Sequence, residues 1–503
     1  MKIILKQLLP VAMLAVLFSS CKKDLLDINV DPNNPTTTSA SPDLVLPAAL
    51  NNMAAIYNNP TSDNRFAFAG LWLGHISYSG NYAIATENVS YAITNNFGAG
   101  TFANIYDNLE DFDFVEKKGA DLGNNFYRAI GILMKAYNYQ TLVDLYGNVP
   151  YTEALQGTGV SKPKYDDAKA IYDDLGKRMD TAIALFKTAV TGSITGDIMF
   201  NANASNWLKF ANTVKLRLLI RQSERPERAA YIQSELAKFA GVQFLDIDAK
   251  VNPGFLNSAG KTNFFWGANI NTSLTYTQDF YRAGQFLIDF LQAHKDTLRL
   301  SMIFARALST GLYQGNYFGD QGIPNSKTST FGSLQSYAPP AVLPAKGLMK
   351  SYSQSAVIML AAESYFLQAE AVLRGWLPGD PKALYKLAVE KSFAYLDLTQ
   401  AQADAYISQA GDKEVNWDAT TTFQEKLALI IRQKWVALAV TNELEPFNDY
   451  RRLHLPADIP LSTSPYSTGK MPTRLLYPQR EFEVNAENVP SGVVPTTKVW
   501  WMP

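Results

Sequence analysis

The sequence contains a single cysteine, Cys21, among 503 residues. An internal disulfide is therefore impossible, and a lone thiol in an exported chain calls for another role. Histidine is almost as scarce, because only His75, His294 and His454 are present. They are far apart and lack the spacing to one another, or to acidic residues, that metal ligands show. The sequence therefore predicts neither a metal ion nor any other cofactor.

An excess of charge of either sign is also missing. The formal net charge is −1 and charged residues make up 18% of the chain, so we expect no basic face for nucleic acid and no acidic tail. The sequence has no HExxH zinc motif, no glycine-rich phosphate loop and no GxSxG nucleophile elbow. These absences argue against the corresponding enzyme classes, and we expect a protein without catalytic activity.

Long apolar runs are absent except at the N-terminus. Lys2 and Lys6 precede an almost wholly apolar segment at 8–18, and two serines and Cys21 follow it. A basic start, an apolar stretch of moderate length and small residues before a cut are typical of an export signal. A membrane-spanning helix needs about 20 apolar residues, so this run is too short to be one.

The surroundings of Cys21 resemble a bacterial lipobox, in which the thiol is acylated and becomes the new N-terminus. Most lipoboxes carry leucine three residues before the cysteine, where this chain has Phe18. Several acyl chains hold a protein on a membrane far better than one, and the Asn-, Pro- and Thr-rich segment at 27–38 suits a flexible tether. We therefore predict a signal peptide at 1–20, a lipidated Cys21 with its tether at 21–44, and a single body at 45–503.

Apolar residues at helical spacing dominate that body. In residues 126–146 they recur at i, i+3, i+4 and i+7, and Gly147 and Pro150 follow in the order that ends a helix. Asp380 and Pro381 are typical of a helix start. Similar stripes predict helices at 171–186, 210–218, 357–376, 384–395 and 423–441. Short turns and small residues at contact positions favour an all-α fold of tetratricopeptide-like helix pairs.

Two segments, 72–91 and 241–350, break this pattern with Gly, Asn, Ser and Pro among aromatic residues. Loops on a rigid scaffold often carry binding residues, and aromatic rings can stack on sugar rings while polar neighbours hydrogen-bond the hydroxyls. The candidate ligand-binding residues are Trp72, His75, Tyr78, Tyr82, Trp266, Asn269, Tyr276 and Tyr317. Core packing is the competing interpretation for each aromatic residue, and we expect at least two of them to line the site.

Glu363 and Glu370 are seven residues apart, so they share one face of a predicted helix. A carboxylate pair can hydrolyse glycosides across a cleft, but two helical turns separate these groups by about 10 Å along the axis. We expect them instead to bond to neighbouring helix ends or to the arginines at 451–452. Those arginines are themselves interpreted as structural rather than as an anion site.

Seven segments of the chain carry a common pattern. They are LLDINVDPN at 25–33, residues 128–137, LVDLYGNVPY at 142–151, AESYFLQAEA at 362–371, QKW at 433–435, DYRR at 449–452 and RLLYPQRE at 474–481. Together, and in this order, they resemble the SusD/RagB family of outer-membrane nutrient-binding lipoproteins. The resemblance implies about four tetratricopeptide-like pairs, an irregular ligand-facing region, no catalysis, and a SusC-like TonB-dependent transporter as partner.

Asn-Pro-Gly and Phe-Phe-Trp segments place the chain nearer a divergent branch of that family. The sugar-binding residues of the family's starch-binding founder are therefore not transferred to this sequence. We expect a surface lipoprotein of the outer membrane that captures an oligosaccharide or polysaccharide and passes it to the transporter. The alternative is a tetratricopeptide scaffold that holds a protein or peptide, and a hydrolase is the third possibility. Aromatic shelves in loops would favour the glycan, whereas concave grooves lined with Asn and Arg would favour the scaffold.

Overall fold

The computed structural model describes residues 40–58, 66–83, 86–320, 322–332 and 346–503. The predicted signal peptide, Cys21 and the family segment at 25–33 lie outside these residues. Helix α1 begins at Pro42, where proline suits the first helical turn, and its buried residues include Pro42 and Leu46. The helix thus begins inside the segment expected to be tether, a few residues before the boundary placed at residue 45.

Helices account for most of the regular structure. In chain order they are α1 (Pro42–Tyr57), α2 (Ala67–Trp72), α3 (Thr86–Ser90), α4 (Ala99–Asp121), α5 (Asn125–Tyr146), α6 (Ala168–Thr188), α7 (Ala204–Ile220), α8 (Ala229–Leu236), α9 (Phe264–Asn269), α10 (Gln285–Ala293), α11 (Thr297–Ile303), α12 (Ala361–Leu373), α13 (Pro381–Tyr395), α14 (Gln400–Ile407), α15 (Phe423–Leu438), α16 (Leu444–Leu453) and α17 (Gln479–Val484). No helix among the described residues is long and apolar enough to cross a membrane.

Local sequence signals explain where the long helices begin and end. The side chain of Asn124 caps α5 by accepting the backbone N–H of Phe126 at 3.0 Å, and Gly147, with φ +75°, ends the same helix. Asp167 caps α6 through Ala170 N–H at 2.9 Å. Helix α4 packs on α5, α5 on α6, α6 on α7, and α12 on both α13 and α15. The predicted all-α fold of tetratricopeptide-like pairs is confirmed.

Among the described residues, six short strands form three antiparallel pairs. They are β1 (Ile76–Tyr78), β2 (Val149–Pro150), β3 (Tyr165–Asp166), β4 (Ala249–Val251), β5 (Tyr281–Ala283) and β6 (Ala356–Met359). β1 pairs with β5, β2 with β3, and β4 with β6. The prediction of one helix over 357–376 was wrong at its start, because β6 is a fully buried strand and α12 begins only at Ala361. The β-branched Val357 and Ile358 suit a strand once β4 supplies a partner.

Candidate ligand surface and buried ionic network

Beside the β1–β5 pair, two loops form an exposed patch, here called the loop surface. The first loop, at 79–83, follows β1 and carries Tyr82; the second, at 312–320 and 322–323, carries Tyr313 and Tyr317 and contacts the first. A shallow depression of about 730 Å³ lies over the second of these loops. The side chain of Tyr82 is 45% exposed and that of Tyr317 is 41% exposed. Two of the eight candidate ligand-binding residues therefore have rings that a ligand can reach from solvent.

Asn316 and Gly80 hold the two loops of this surface together. The amide of Asn316 donates to the carbonyl of Tyr78 at 2.6 Å and accepts the N–H of Ile323 at 2.8 Å. A Cβ atom at Gly80 would lie 2.6 Å from the carbonyl oxygen of Gly322, which is closer than two such atoms can approach. Glycine is therefore required for the loops to meet.

Tyr317 is oriented by helix α10. Its hydroxyl donates to Asp289, whose other carboxylate oxygen accepts the side-chain amide of Gln285 at 2.6 Å. The hydrogen bond to Asp289, and after it burial, raises the pKa of Tyr317 to about 12. The phenol is therefore neutral at physiological pH. The carboxylate fixes its hydroxyl while the ring remains exposed.

Tyr82 stands at the end of a row of rings that leads from the core to the surface. Its ring meets Phe280 edge to face with centroids 5.7 Å apart, and Phe280 packs on Tyr78 at 4.9 Å. Tyr78 is itself buried in β1. Such packing limits the motion of an exposed ring, so less conformational entropy is lost when a ligand stacks on it.

A third loop adjoins this surface and was missed by the sequence reasoning. Thr463 donates its backbone N–H to Phe318 at 3.0 Å, and its hydroxyl bonds Asp320. Tyr466 in the same loop is 73% exposed. The signal that could have found it is the cluster of Ser, Thr and Pro around this tyrosine, which is typical of a surface loop.

Five of the predicted ligand residues lie in the protein interior, and solvent cannot reach them. Trp72 stacks on Phe97 with centroids 6.0 Å apart, and His75 Nδ1 lies 2.5 Å from a carboxylate oxygen of Glu443. The others are Tyr78, Trp266 and Asn269. For these residues the prediction of ligand contact is corrected, because their side chains fill the core and leave no surface for a sugar.

Tyr276 takes an intermediate position. It is partly buried, and the guanidinium of Arg282 lies 5.5 Å from the centre of its ring. Burial raises the pKa of Tyr276 well above its usual range, although the nearby Arg282 opposes the shift. The ring thus has one face committed to a cation within the protein. A contact between Tyr276 and ligand remains a prediction.

Charged residues of the family segments take part in a buried ionic network between the helices. Arg452 donates to both carboxylate oxygens of Glu370, at 2.5 and 2.8 Å. Arg217 lies 3.4 Å from Glu363, and Arg221 donates to Asp144 at 3.1 Å. The expected pairing with the arginine segment is confirmed for Glu370. Glu363 instead pairs with Arg217, which lies on helix α7.

The two glutamates experience opposite environments on one helix. Burial raises the pKa of Glu363, Glu445 adds to the effect, and the value reaches about 7. Burial would also raise the pKa of Glu370, but the guanidinium groups of Arg452 and Arg374 outweigh it and lower the value to about 2. Both carboxylates are fully buried, so a glycan in solution has no access to them. Their arrangement serves packing between helices.

The described residues include no group of three or more His, Cys, Asp or Glu side chains that could hold a metal ion. The loop surface presents exposed phenol rings beside amide and carboxylate groups. Such a surface can stack on an apolar face and hydrogen-bond its polar edge.

Comparison with known proteins adds a family and a set of similar folds. A family model described as "Starch-binding associating with outer membrane" matches residues 32–478. A SusD homolog from Bacteroides fragilis is 18% identical with a TM-score of 0.73, and covers 92% of this chain and 99% of its own. A SusD-like protein from Bacteroides thetaiotaomicron is 22% identical with a TM-score of 0.72, and covers 92% and 99%.

A chitin-binding SusD homolog from Flavobacterium johnsoniae is 21% identical with a TM-score of 0.72, and covers 91% of this chain and 98% of its own. At these identities the structural likeness shows a common fold. A search among curated proteins finds no match.

Proposed function

The chain belongs to the SusD-like family of nutrient-binding outer-membrane proteins, and from this we propose that it captures an oligosaccharide or polysaccharide without transforming it. The observation that carries the proposal is the loop surface, where Tyr82 and Tyr317 expose rings that neighbouring side chains hold in place. Sugar rings present apolar C–H faces to such rings, while their hydroxyls need polar partners.

The polar partners are present beside the rings. Gln314 and Asp320 line the same depression as Tyr313 and Tyr317. Exposed aromatic residues in loops favour a glycan over the scaffold alternative, in which a peptide would lie in a groove between helices. The absence of recognisable catalytic motifs in the sequence supports binding rather than hydrolysis.

We further propose how the protein is placed in the cell. The lipobox-like sequence around Cys21 supports a lipid anchor on the outer membrane, with the tether giving the body freedom to move. Family membership supports a SusC-like TonB-dependent transporter as the receiver of the ligand. In this arrangement the body is a lid over the transporter, with the loop surface directed towards it.

The ligand proposal is tested by changing the two exposed rings. The variants Tyr82→Ala and Tyr317→Ala should each weaken binding to the best ligand of a malto- and chito-oligosaccharide panel by about 1–3 kcal/mol, on the scale of base–aromatic stacking. Phe423→Ala is the matched control, because it removes a ring of similar exposure from the start of helix α15. Affinity is measured by calorimetry and stability by the melting temperature.

Unchanged affinity in both tyrosine variants would contradict this assignment of the site, as would losses that only follow the melting temperature. The partner is tested separately by affinity capture from outer membranes solubilised in mild detergent. Recovery of the protein alone, with the neighbouring transporter expressed, would count against the lid and in favour of a free-standing scaffold.

A further inference from the structure

A second cavity, here called the helical pocket, lies between α4, α5 and α6 and shares no lining residue with the loop surface. Its volume of about 660 Å³ is within the range of sites that hold small molecules. The hairpin that follows α5 closes one side with Tyr151, whose ring meets that of Tyr139 edge to face with centroids 4.7 Å apart. The pocket is therefore a partly open concavity lined by two aromatic rings.

Tyr139 contributes a hydrogen-bond donor to this pocket. Its side chain lines the pocket and the residue is only 4% exposed, yet its hydroxyl bonds to no group in the part of the chain that the structure describes. Burial, and after it the carboxylate of Asp113, raises the pKa of Tyr139 well above its usual range, so the phenol keeps its proton. The hydroxyl oxygen keeps accessible surface in the pocket, so its O–H is a donor that an oxygen of a bound ligand can accept.

Lys135 and Asp174 offer further hydrogen-bonding capacity. The buried ammonium of Lys135 lies 2.6 Å from Asp113 Oδ1 and 2.7 Å from Glu116 Oε2, and an ammonium has three N–H donors. Asp174 Oδ2 accepts the hydroxyl of Tyr151 at 2.5 Å and Nε of Arg178 at 2.9 Å. The other oxygen of Asp174 receives no hydrogen bond from the described residues. Donors and an acceptor therefore remain available at the same pocket.

The charges of the pocket select a neutral ligand. Lys135 is paired with Asp113 and Glu116, and Arg178 with Asp174. An ionic ligand would have to disrupt one of these pairs, whereas a hydroxyl group can donate to a carboxylate and accept from a cation without disrupting either. Sugars carry many such hydroxyls and have apolar faces for the tyrosine rings.

We propose that the helical pocket is a second saccharide site, which takes a disaccharide or the end of a longer neutral chain. The choice of a saccharide as ligand rests on the proposed function, whereas the existence of the site rests on the pocket itself. The shallow loop surface suits an extended length of chain, whereas the less open helical pocket suits a short unit. The two sites are therefore distinguishable by ligand size and by variants.

The test measures calorimetric titrations of maltose and N,N′-diacetylchitobiose into the wild type and two pocket variants. Tyr139→Phe removes only the hydroxyl and should weaken binding of the better disaccharide about three- to tenfold, the effect of one hydrogen bond. Ala170→Trp places a bulky ring at an exposed position on the pocket lining and should abolish that binding.

The matched control is Tyr385→Phe, which also removes a buried hydroxyl, in this case one that donates to Val415 on the opposite half of the chain at 2.5 Å. It should bind the disaccharide as the wild type does. Disaccharide binding by Ala170→Trp with the affinity of the wild type would overturn the inference. Absence of disaccharide binding by the wild type would also overturn it. If that wild type still captured amylose or chitin, and Tyr317→Ala did not, the proposed function would hold without the second site. Failure to bind either polymer or disaccharide would overturn both.

Discussion

Replacing Glu370 by glutamine tests the ion pair that joins α12 to α16. Both partners are fully buried, and Arg452 contacts both carboxylate oxygens. The pKa of Glu370 is about 2 in the folded protein, against about 4.3 for an unperturbed glutamate. A difference of this size corresponds to about 3 kcal/mol of stability at neutral pH. Breaking a buried pair costs about 3–5 kcal/mol in other proteins, so we expect Glu370→Gln to lose roughly 3 kcal/mol.

The pH dependence of that loss follows from the direction of the shift. A carboxyl group with a depressed pKa stabilises the fold above its unfolded pKa, and the contribution is lost as the pH falls from about 4 to about 2. Urea unfolding followed by tryptophan fluorescence should therefore show that the free energy of unfolding of Glu370→Gln is lower than that of the wild type. This difference should be largest at pH 7 and shrink towards pH 3. A difference that stays constant over this range, or is absent at pH 7, would refute the reasoning.

Glu363→Gln is the matched control on the same helix. The pKa of Glu363 is raised to about 7 by burial, so the folded protein keeps a proton that the unfolded chain loses above about pH 4. The wild type therefore loses stability through this group as the pH rises from about 4 to about 7. Glutamine does not titrate, and Glu363→Gln should gain stability relative to the wild type over that range. The two variants should thus show opposite trends with pH.

Three further predictions concern the anchor, the core and the C-terminus. Cys21→Ala should release the protein from the membrane fraction or stall its maturation, and unchanged fractionation would contradict lipidation. Trp266→Ala should cost about 3–5 kcal/mol in urea unfolding, because its side chain is fully buried; a selective loss of sugar binding at unchanged stability would instead restore it to the ligand site. Trp501→Ala should cost a similar amount, since its buried indole N–H donates to Asp144 at 2.7 Å, and normal stability would show that the tail is dispensable.

The helical architecture could be predicted from the sequence because its signals are local. The apolar stripe of α5 and the glycine that ends it lie within one segment, and so do the cap and proline that start α13. Strand β6 could not be predicted in this way, because its partner β4 lies about a hundred residues earlier in the chain. The same apolar residues suit a helix until that partner is in place.

The ligand surface depended on contacts that local periodicity does not encode. In the irregular segments no stripe tells which side of the chain faces the core, so Trp72 and Tyr82 were equally good candidates. Trp72 is buried because Phe97 and Phe447, from distant segments, pack against it. Tyr82 remains accessible because its ring packs edge to face against Phe280 and is still 45% exposed.

By itself the sequence determined the order of the segments, the presence of the long helices and the family pattern, because these depend on neighbours along the chain. Only the tertiary structure decided what individual side chains do. Glu363 and Glu370 occupy the same helix face in the sequence, yet Arg452 lowers the pKa of one while burial raises that of the other. Electrostatic environment and solvent access arise from groups brought together across the fold, which no local pattern specifies.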